Sequence, residues 1–413
     1  MAYGEEGRYG GKMKQNTAIL DIGSSKVICL ICSAQGRDSI TVRGAGVKEY
    51  PGFENGRFID EQLFSSAVVD AIAMAEGEAK VRIRDLSVGV PASFSKLVLH
   101  EGSAGVKSRT GRINGDTIDD LINDSLTFEQ PEGYELMHST PVEFKIGETV
   151  NADPPLGQAA KEVSAVVSHV YMQNGFRAAV SDALSRTNLE ADMYISVPLS
   201  ASLFVIPEEE RTDCAVLIDV GARQTDVSFI RGSALIACET LGIGGVSFAN
   251  DLAYGLRIST QSAENVKRRY VYSLDYQDSI DIVRMEGKSP MHVDHAVIQF
   301  IIEERTKQLA GYLVRMLKDM GVRLEERPPV YITGGGIALM RGSCEYMEKL
   351  MGVPLKVRMP WMPRLSSPNY ASAFSVMDFV MHAEEEDSVD RLVGMVSESR
   401  FIKKIRELFG NVR

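Results

Sequence analysis

Apolar residues gather in short runs bounded by glycine and polar turns, the pattern of strands buried on both faces. Ala18–Asp21 and Lys26–Cys32 are two such runs, joined by Ile22-Gly23-Ser24-Ser25, and predict a strand, a tight turn and a second strand. The arrangement returns 198 residues later (219 − 21). Ala215–Asp219 leads through Val220-Gly221-Ala222-Arg223-Gln224-Thr225-Asp226 into the strand Val227–Ile230. Each copy continues into more strand and then a helical stretch, which predicts a duplicated α/β unit. Between the copies the texture changes. Short strands at Leu86–Val90 and Leu97–His100, a helix over Gly115–Leu126 entered at Asp116, and proline-rich segments at Pro141–Phe144 and Asn151–Gly157 predict an inserted subdomain over 86–170. A helix over Met172–Ser185 then resumes the first unit. Near the C-terminus, Pro329–Thr333 predicts a buried strand running into Gly334-Gly335-Gly336, with a helix after Ile337.

Composition narrows the class. Apolar residues make up 44% of the 413 and charged ones 24%, which supports a folded chain of several domains and excludes a disordered one. The net charge of −11 repels phosphate backbones, so no nucleic acid is expected as a partner. No apolar run reaches the ~20 residues of a membrane span, and the polar, glycine-rich leader over 1–16 lacks the core of a secretory signal, so a cytoplasmic chain is expected. Five cysteines, an odd count, do not make a disulfide framework. Cys29 and Cys32 have C-x-x-C spacing but lie within a strand, so a packing role is expected of them, and His292 with His295 lacks a metal-ligand pattern.

The chemistry is concentrated in the glycine turns. Two D-x-G hairpins facing each other make a phosphate clamp: glycine lets the backbone approach closely, and the turn amides attract oxyanions. On this reading Asp21 and Asp219 orient a magnesium ion, Gly23, Ser24 and Ser25 hold phosphates from one side, and Gly221 with Thr225 and Asp226 hold them from the other. Lys26 adds a compact positive charge. Gly334, Gly335 and Gly336 leave room for a nucleoside against the backbone, and Glu264 with Lys267, three apart on one helix face, are placed to bond a ribose or base.

These residues resemble the actin-like ATPase superfamily, and within it the bacterial cell-division family FtsA. ILDIGSSKVICLI is similar to the first phosphate motif, VLIDVGARQTDVSFI to the second, VYITGGGIALMRG to the adenosine motif and SSPNYASAFSVMDFV to the final core helix. PVEFKIGETVNADPPLG resembles the family's inserted subdomain. The resemblance implies two lobes around a nucleotide cleft: 17–85 and 171–205 with a returning helix over 366–382, against a core over 206–255 and 329–365 with a small subdomain over 256–328. It implies ATP and Mg2+ as ligands. In the second phosphate loop, Ala222, Arg223 and Gln224 replace expected glycines and threonine, and Arg223 either reaches a phosphate or narrows the site. Related hydrolases place a carboxylate or amide to orient the attacking water, and the matching Ser196-Val197-Pro198 has none, so hydrolysis is at most slow.

The tail stands apart. An acidic linker over 383–399 precedes 400–413, where Phe401, Ile402, Ile405, Leu408 and Phe409 fall within about 120° of a helical wheel at 100° per residue. Lys403 and Lys404 lie on the other side, the pattern of a helix lying in an anionic membrane surface. The resemblance then implies a self-assembling protein that ties the FtsZ division ring to the inner membrane face. The FtsZ C-terminal peptide would dock on 256–328, where Lys267-Arg268-Arg269 suits an acidic segment, and other division proteins would meet the insertion. Two other readings of the same architecture are a PilM-like pilus adaptor, which lacks such a tail, and an actin-fold small-molecule kinase.

Overall fold

The computed structural model describes residues 16–34, 40–274, 279–284, 289–358 and 367–384. The amphipathic segment 400–413 lies outside the described residues.

The first sheet begins with β1 (Thr17–Ile22), β2 (Lys26–Ala34) and β3 (Ile40–Glu49), an antiparallel meander. A small hairpin, β4 (Phe53–Glu54) and β5 (Arg57–Phe58), leads to helix α1 (Glu61–Ala79), capped by the Asp60 carboxylate at the Leu63 amide. Then comes β6 (Asp85–Val90), parallel to β1. The inserted unit follows: β7 (Ser95–Gly105), α2 (Gly115–Asp124), β8 (Tyr134–Ile146), β9 (Thr149–Asn151) and β10 (Glu162–Gln173), a separate sheet ordered β7-β10-β8-β9 around its own core of Ile118, Leu121, Phe144, Val163 and Val167. Helix α3 (Asn174–Ser185), β11 (Glu190–Ser196) and α4 (Val197–Val205) complete the first lobe.

The second lobe repeats the plan. The meander β12 (Ala215–Val220), β13 (Thr225–Arg231) and β14 (Ala234–Leu241) is followed by α5 (Gly245–Leu256), α6 (Thr260–Arg269), the hairpin β15 (Ile280–Val283) and β16 (Met291–Asp294), and the long α7 (His295–Asp319). Then come β17 (Val330–Thr333), α8 (Ser343–Met351), β18 (Leu355–Val357) and α9 (Ala371–Glu384). The sheet orders β3-β2-β1-β6-β11 and β14-β13-β12-β17-β18 match strand for strand, with the same pairing directions. The expected duplication is therefore a duplication of topology. Helix α9 crosses back to pack Ala373, Val376, Met377 and Val380 on the outer face of the first sheet.

Alternation in β2 separates the two cysteines. Cys29 faces the α1 side with Val27 and Ile31, whereas Cys32 faces the α9 side with Ile28 and Leu30. Two thiols on opposite faces of a strand cannot bridge or share a metal, and burial pushes both up to about 12.

Several expectations need correction. Leu86–Val90 does not belong to the insertion: it is the central parallel strand of the first sheet, and the inserted sheet starts at Ser95. Asn114, not Asp116, caps α2, because its side chain accepts from the Thr117 amide while Thr117 Oγ1 reaches back to the Asn114 amide. Met172 and Gln173 extend β10, so α3 starts later than expected. The helix after the triple glycine starts at Ser343, since the intervening residues form turns. Helix α9 runs to Glu384, into the expected linker.

Candidate functional site

The two D-x-G turns are superposable in their bonding. Gly23 N–H donates to Lys26 O and Gly221 N–H to Gln224 O, each at 2.9 Å. The last cross-strand pairs are Ile22↔Val27 and Val220↔Thr225, so Lys26 and Gln224 occupy equivalent positions. Each turn presents an aspartate from the end of a central strand toward the space between the lobes.

Asp21 is 2% exposed and accepts a 2.7 Å bond from Ser372 Oγ at the start of α9. Burial raises its pKa to about 6, and Ser372 and Lys26 only partly offset this. Asp219 is pushed up to about 7, by burial and by the charges of Asp226 and Asp21. Among the described residues no donor bonds its carboxylate. Asp226 rises to about 6 by burial, although it accepts from Gln224 Nε2 at 2.8 and 3.0 Å and from Thr240 Oγ1 at 2.7 Å. Lys26 Nζ lies 4.5 Å from the centroid of the Tyr370 ring, and burial lowers its pKa against the pull of Asp21. Acidic groups held above their usual range beside a desolvated lysine make a site that gains from a cation and an anion arriving together.

The first loop is held from behind. Tyr50 Oη donates to Gly23 O at 2.8 Å, and its amide donates to Ser25 O at 3.1 Å. Ser24 is buried, and its Oγ accepts from the Arg223 amide at 3.2 Å, so the two turns touch directly.

Other predicted residues take different parts. Thr225 is fully buried and donates Oγ1 to Ile243 O at 2.7 Å, tying the second hairpin to the entry of α5 instead of facing a phosphate. The triple glycine is explained by the protein's own packing. A Cβ on Gly334 (φ +92) would sit 2.3 Å from Asp219 Oδ1 and from Val220 O, and one on Gly336 2.3 Å from Gly221 O. Gly336 N–H also donates to Val220 O at 2.7 Å, so this turn presses the second hairpin into place. Only Gly335 looks elsewhere, toward Asn369 of the first lobe, 2.8 Å from its would-be Cβ. Glu264 and Lys267 do pair, at 2.8 Å, but Lys267 is 4% exposed and donates to Gly245 O at 3.0 Å, and Arg268 joins Glu264 at 2.8 Å. Lys267 is thus an internal strut of the cleft wall and not part of a basic surface for an acidic peptide. Among the described residues no three His, Cys, Asp or Glu side chains are placed to hold a metal alone, so a magnesium ion here would also need phosphate oxygens or water. No described helix is long and apolar enough to cross a membrane.

Tyr50, Glu54, Ser93, Tyr370 and Ser372 were not singled out from the sequence. One signal was available: Asn55-Gly56, with φ of +49° and +67°, is the two-residue turn that builds the β4–β5 hairpin carrying Glu54.

Comparison with known proteins agrees with this architecture. The family model for cell division protein FtsA matches residues 216–375, and that for the SHS2 domain inserted in FtsA matches 95–171, the inserted sheet. FtsA of Neisseria meningitidis is 23% identical over 372 residues, 87% of this chain and 89% of that protein. FtsA of Streptococcus pneumoniae is 25% identical, covering 87% and 79%. Among solved structures, the PilM–PilN type IV pilus biogenesis complex aligns with a TM-score of 0.61 at 18% identity, covering 89% of this chain and 98% of that one. MreB5 of Spiroplasma citri bound to ADP aligns at 0.53 and 12% identity, covering 90% and 97%. These likenesses place the duplicated sheets in the actin-like fold. With matching models for both the body and its insertion, and relatives aligned over most of its length, this chain belongs to the FtsA family of cell division proteins.

Proposed function

We propose that this protein binds ATP with Mg2+ between its lobes, self-assembles, and tethers the FtsZ ring to the cytoplasmic face of the membrane through the amphipathic segment 400–413. The observation that carries the nucleotide reading is the pair of matched turns with Asp21 and Asp219 raised in pKa beside Lys26. A magnesium ion would remove the repulsion between the carboxylates, and Lys26 would leave the Tyr370 ring for a phosphate oxygen. The likeness to MreB5, solved with ADP and with AMPPNP, supports the same ligand class. Ser196-Val197-Pro198 opens α4 with Ser196 Oγ accepting from the Leu199 amide, so no side chain there orients a water, and turnover is slow.

For the FtsZ peptide, the second-lobe small subdomain offers apolar surface. Phe300 and Val297 on α7 are 67% and 43% exposed, and Tyr254, Ile301, Arg305 and Lys307 line a groove beside them together with Asp251 and Glu304, which pair with the two cations at 2.5 and 2.7 Å. Apolar anchors rimmed by paired charges suit a short segment whose apolar side chains supply most of the contact. Weak tail anchors, one per subunit, add by avidity along a filament.

Calorimetric titration of the full chain with Mg·ADP tests the nucleotide reading. Lys26→Ala should weaken binding by about 10- to 100-fold, the loss of a charge-assisted phosphate contact worth about 1.5–3 kcal/mol. Equal affinity in parent and variant refutes the assignment of Lys26, and heat-silent titrations of the parent refute nucleotide binding.

A further inference from the structure

Two of the three residues that break the glycine pattern of the second turn, Arg223 and Gln224, bridge the lobes. Arg223 Nη1 donates to Glu54 Oε1 at 2.7 Å, the Arg223 amide donates to Ser24 Oγ at 3.2 Å, and Ser93 Oγ donates to Gln224 Oε1 at 2.6 Å. All three contacts join the second-lobe turn to the first lobe. The first-lobe side is a rigid wall. Phe53 packs on Phe94 with centroids 4.9 Å apart, Phe58 stacks on Phe94 at 5.1 Å, and a Cβ on Gly56 would lie 2.6 Å from Ser93 O. The hairpin bearing Glu54 and the turn bearing Ser93 are therefore one packed unit. Gly52, at φ +94, allows Arg223 to cross: a Cβ there would sit 3.1 Å from Arg223 Nε and 2.0 Å from Ser24 O. On the second-lobe side Gln224 is 7% exposed and held by Asp226 through both carboxylate oxygens. Rigid partners on both sides let side-chain bonds register as a restraint on the lobes instead of dissipating in loop motion.

We infer that Arg223 and Gln224 latch the lobes together through Glu54 and Ser93, so that the closed cleft is the resting state. A phosphate must then break the Ser24–Arg223 bond to enter. This rests on the nucleotide reading above only for the identity of the competing ligand. The latch itself is a contact between lobes that exists without one.

The Arg223 amide reads the latch directly, since its bond is to Ser24 Oγ in the other lobe. Hydrogen exchange of the peptide spanning the second turn, in the full chain without nucleotide, should be compared with that of Glu54→Gln/Ser93→Ala, which leaves the turn itself intact. A partly exposed ion pair is worth about 2- to 5-fold and a neutral hydrogen bond about 2- to 12-fold, so opening should rise about 5- to 50-fold. The Gly23 amide, bonded within its own hairpin, serves as the internal reference. Swapping the charges, Glu54→Arg with Arg223→Glu, should return exchange toward the parent rate. Because only the opened cleft admits ligand, the double variant should bind Mg·ADP more tightly by the same factor. Unchanged exchange at Arg223 overturns the latch. Faster exchange with unchanged or weaker Mg·ADP affinity overturns the claim that a phosphate must break it. Faster exchange in proteins that bind no Mg·ADP supports the latch and overturns the nucleotide reading instead.

Discussion

Asp219→Asn should stabilise this protein, and increasingly so as pH rises. The folded Asp219 carboxyl titrates at about 7 against an ordinary value of 3.8, because burial and the charges of Asp226 and Asp21 oppose its ionisation. Below pH 3.8 both folded and unfolded forms carry the proton, and the group costs nothing. As pH rises from there through 7, the unfolded aspartate ionises freely and the folded one does not, so stability falls across that window and levels off above it. At about 1.4 kcal/mol per pKa unit, the ceiling on the loss is about 4 kcal/mol at pH 8 and about 2 at pH 5. Asp219 is only partly buried, and solvent screening reduces the expected gain from Asn to about 2 kcal/mol at pH 8 and about 1 at pH 5. Urea unfolding of both proteins at the two pH values measures the difference. Adding Mg2+ with ADP should stabilise only the parent and erase the advantage of the variant. A variant no more stable than the parent at pH 8, or a gain independent of pH, would mean that this carboxylate is not ionised at a cost to the fold.

Two further outcomes follow from packing and surface. Gly46→Ala should cost about 3 kcal/mol or abolish folding, because its Cβ would sit 1.8 Å from Ala71 O where α1 presses on β3, and thermal unfolding reads this directly. Phe300→Ala with Lys307→Glu should weaken binding of an FtsZ C-terminal peptide by tenfold or more in a fluorescence anisotropy titration, while leaving Mg·ADP affinity at the parent value.

The duplicated frame was legible in the sequence because its signals are local. Strands buried on both faces read as unbroken apolar runs, and the D-x-G turns fall at one offset in both copies. Sheet membership is not local. The run Leu86–Val90 has the same texture as the insertion that follows it, and only its parallel register with β1, Ile19↔Ser87, shows where it belongs. The triple glycine was legible as a place where side chains do not fit. What excludes them, the carbonyls of Val220 and Gly221, arrives from a strand over a hundred residues away in the chain. The bridge between the lobes was invisible for the same reason: Arg223–Glu54 and Gln224–Ser93 pair across separations of 169 and 131 residues. A charged residue in a glycine loop could be seen to be out of place, but its partner could not be named. Likewise, Lys267-Arg268-Arg269 reads as a basic surface until Lys267 is found buried against Gly245 O.

A nucleotide-linked polymer anchored weakly at many points to a membrane should come down with vesicles only when its tail is present. The decisive measurement is co-sedimentation with anionic vesicles of the intact chain beside a truncation ending at Glu398, with and without ATP and Mg2+. Only the intact chain should pellet, and ATP with Mg2+ should increase the pelleted fraction. If truncated and intact chains pellet equally, or if both stay in solution under every condition, the tethering role is contradicted.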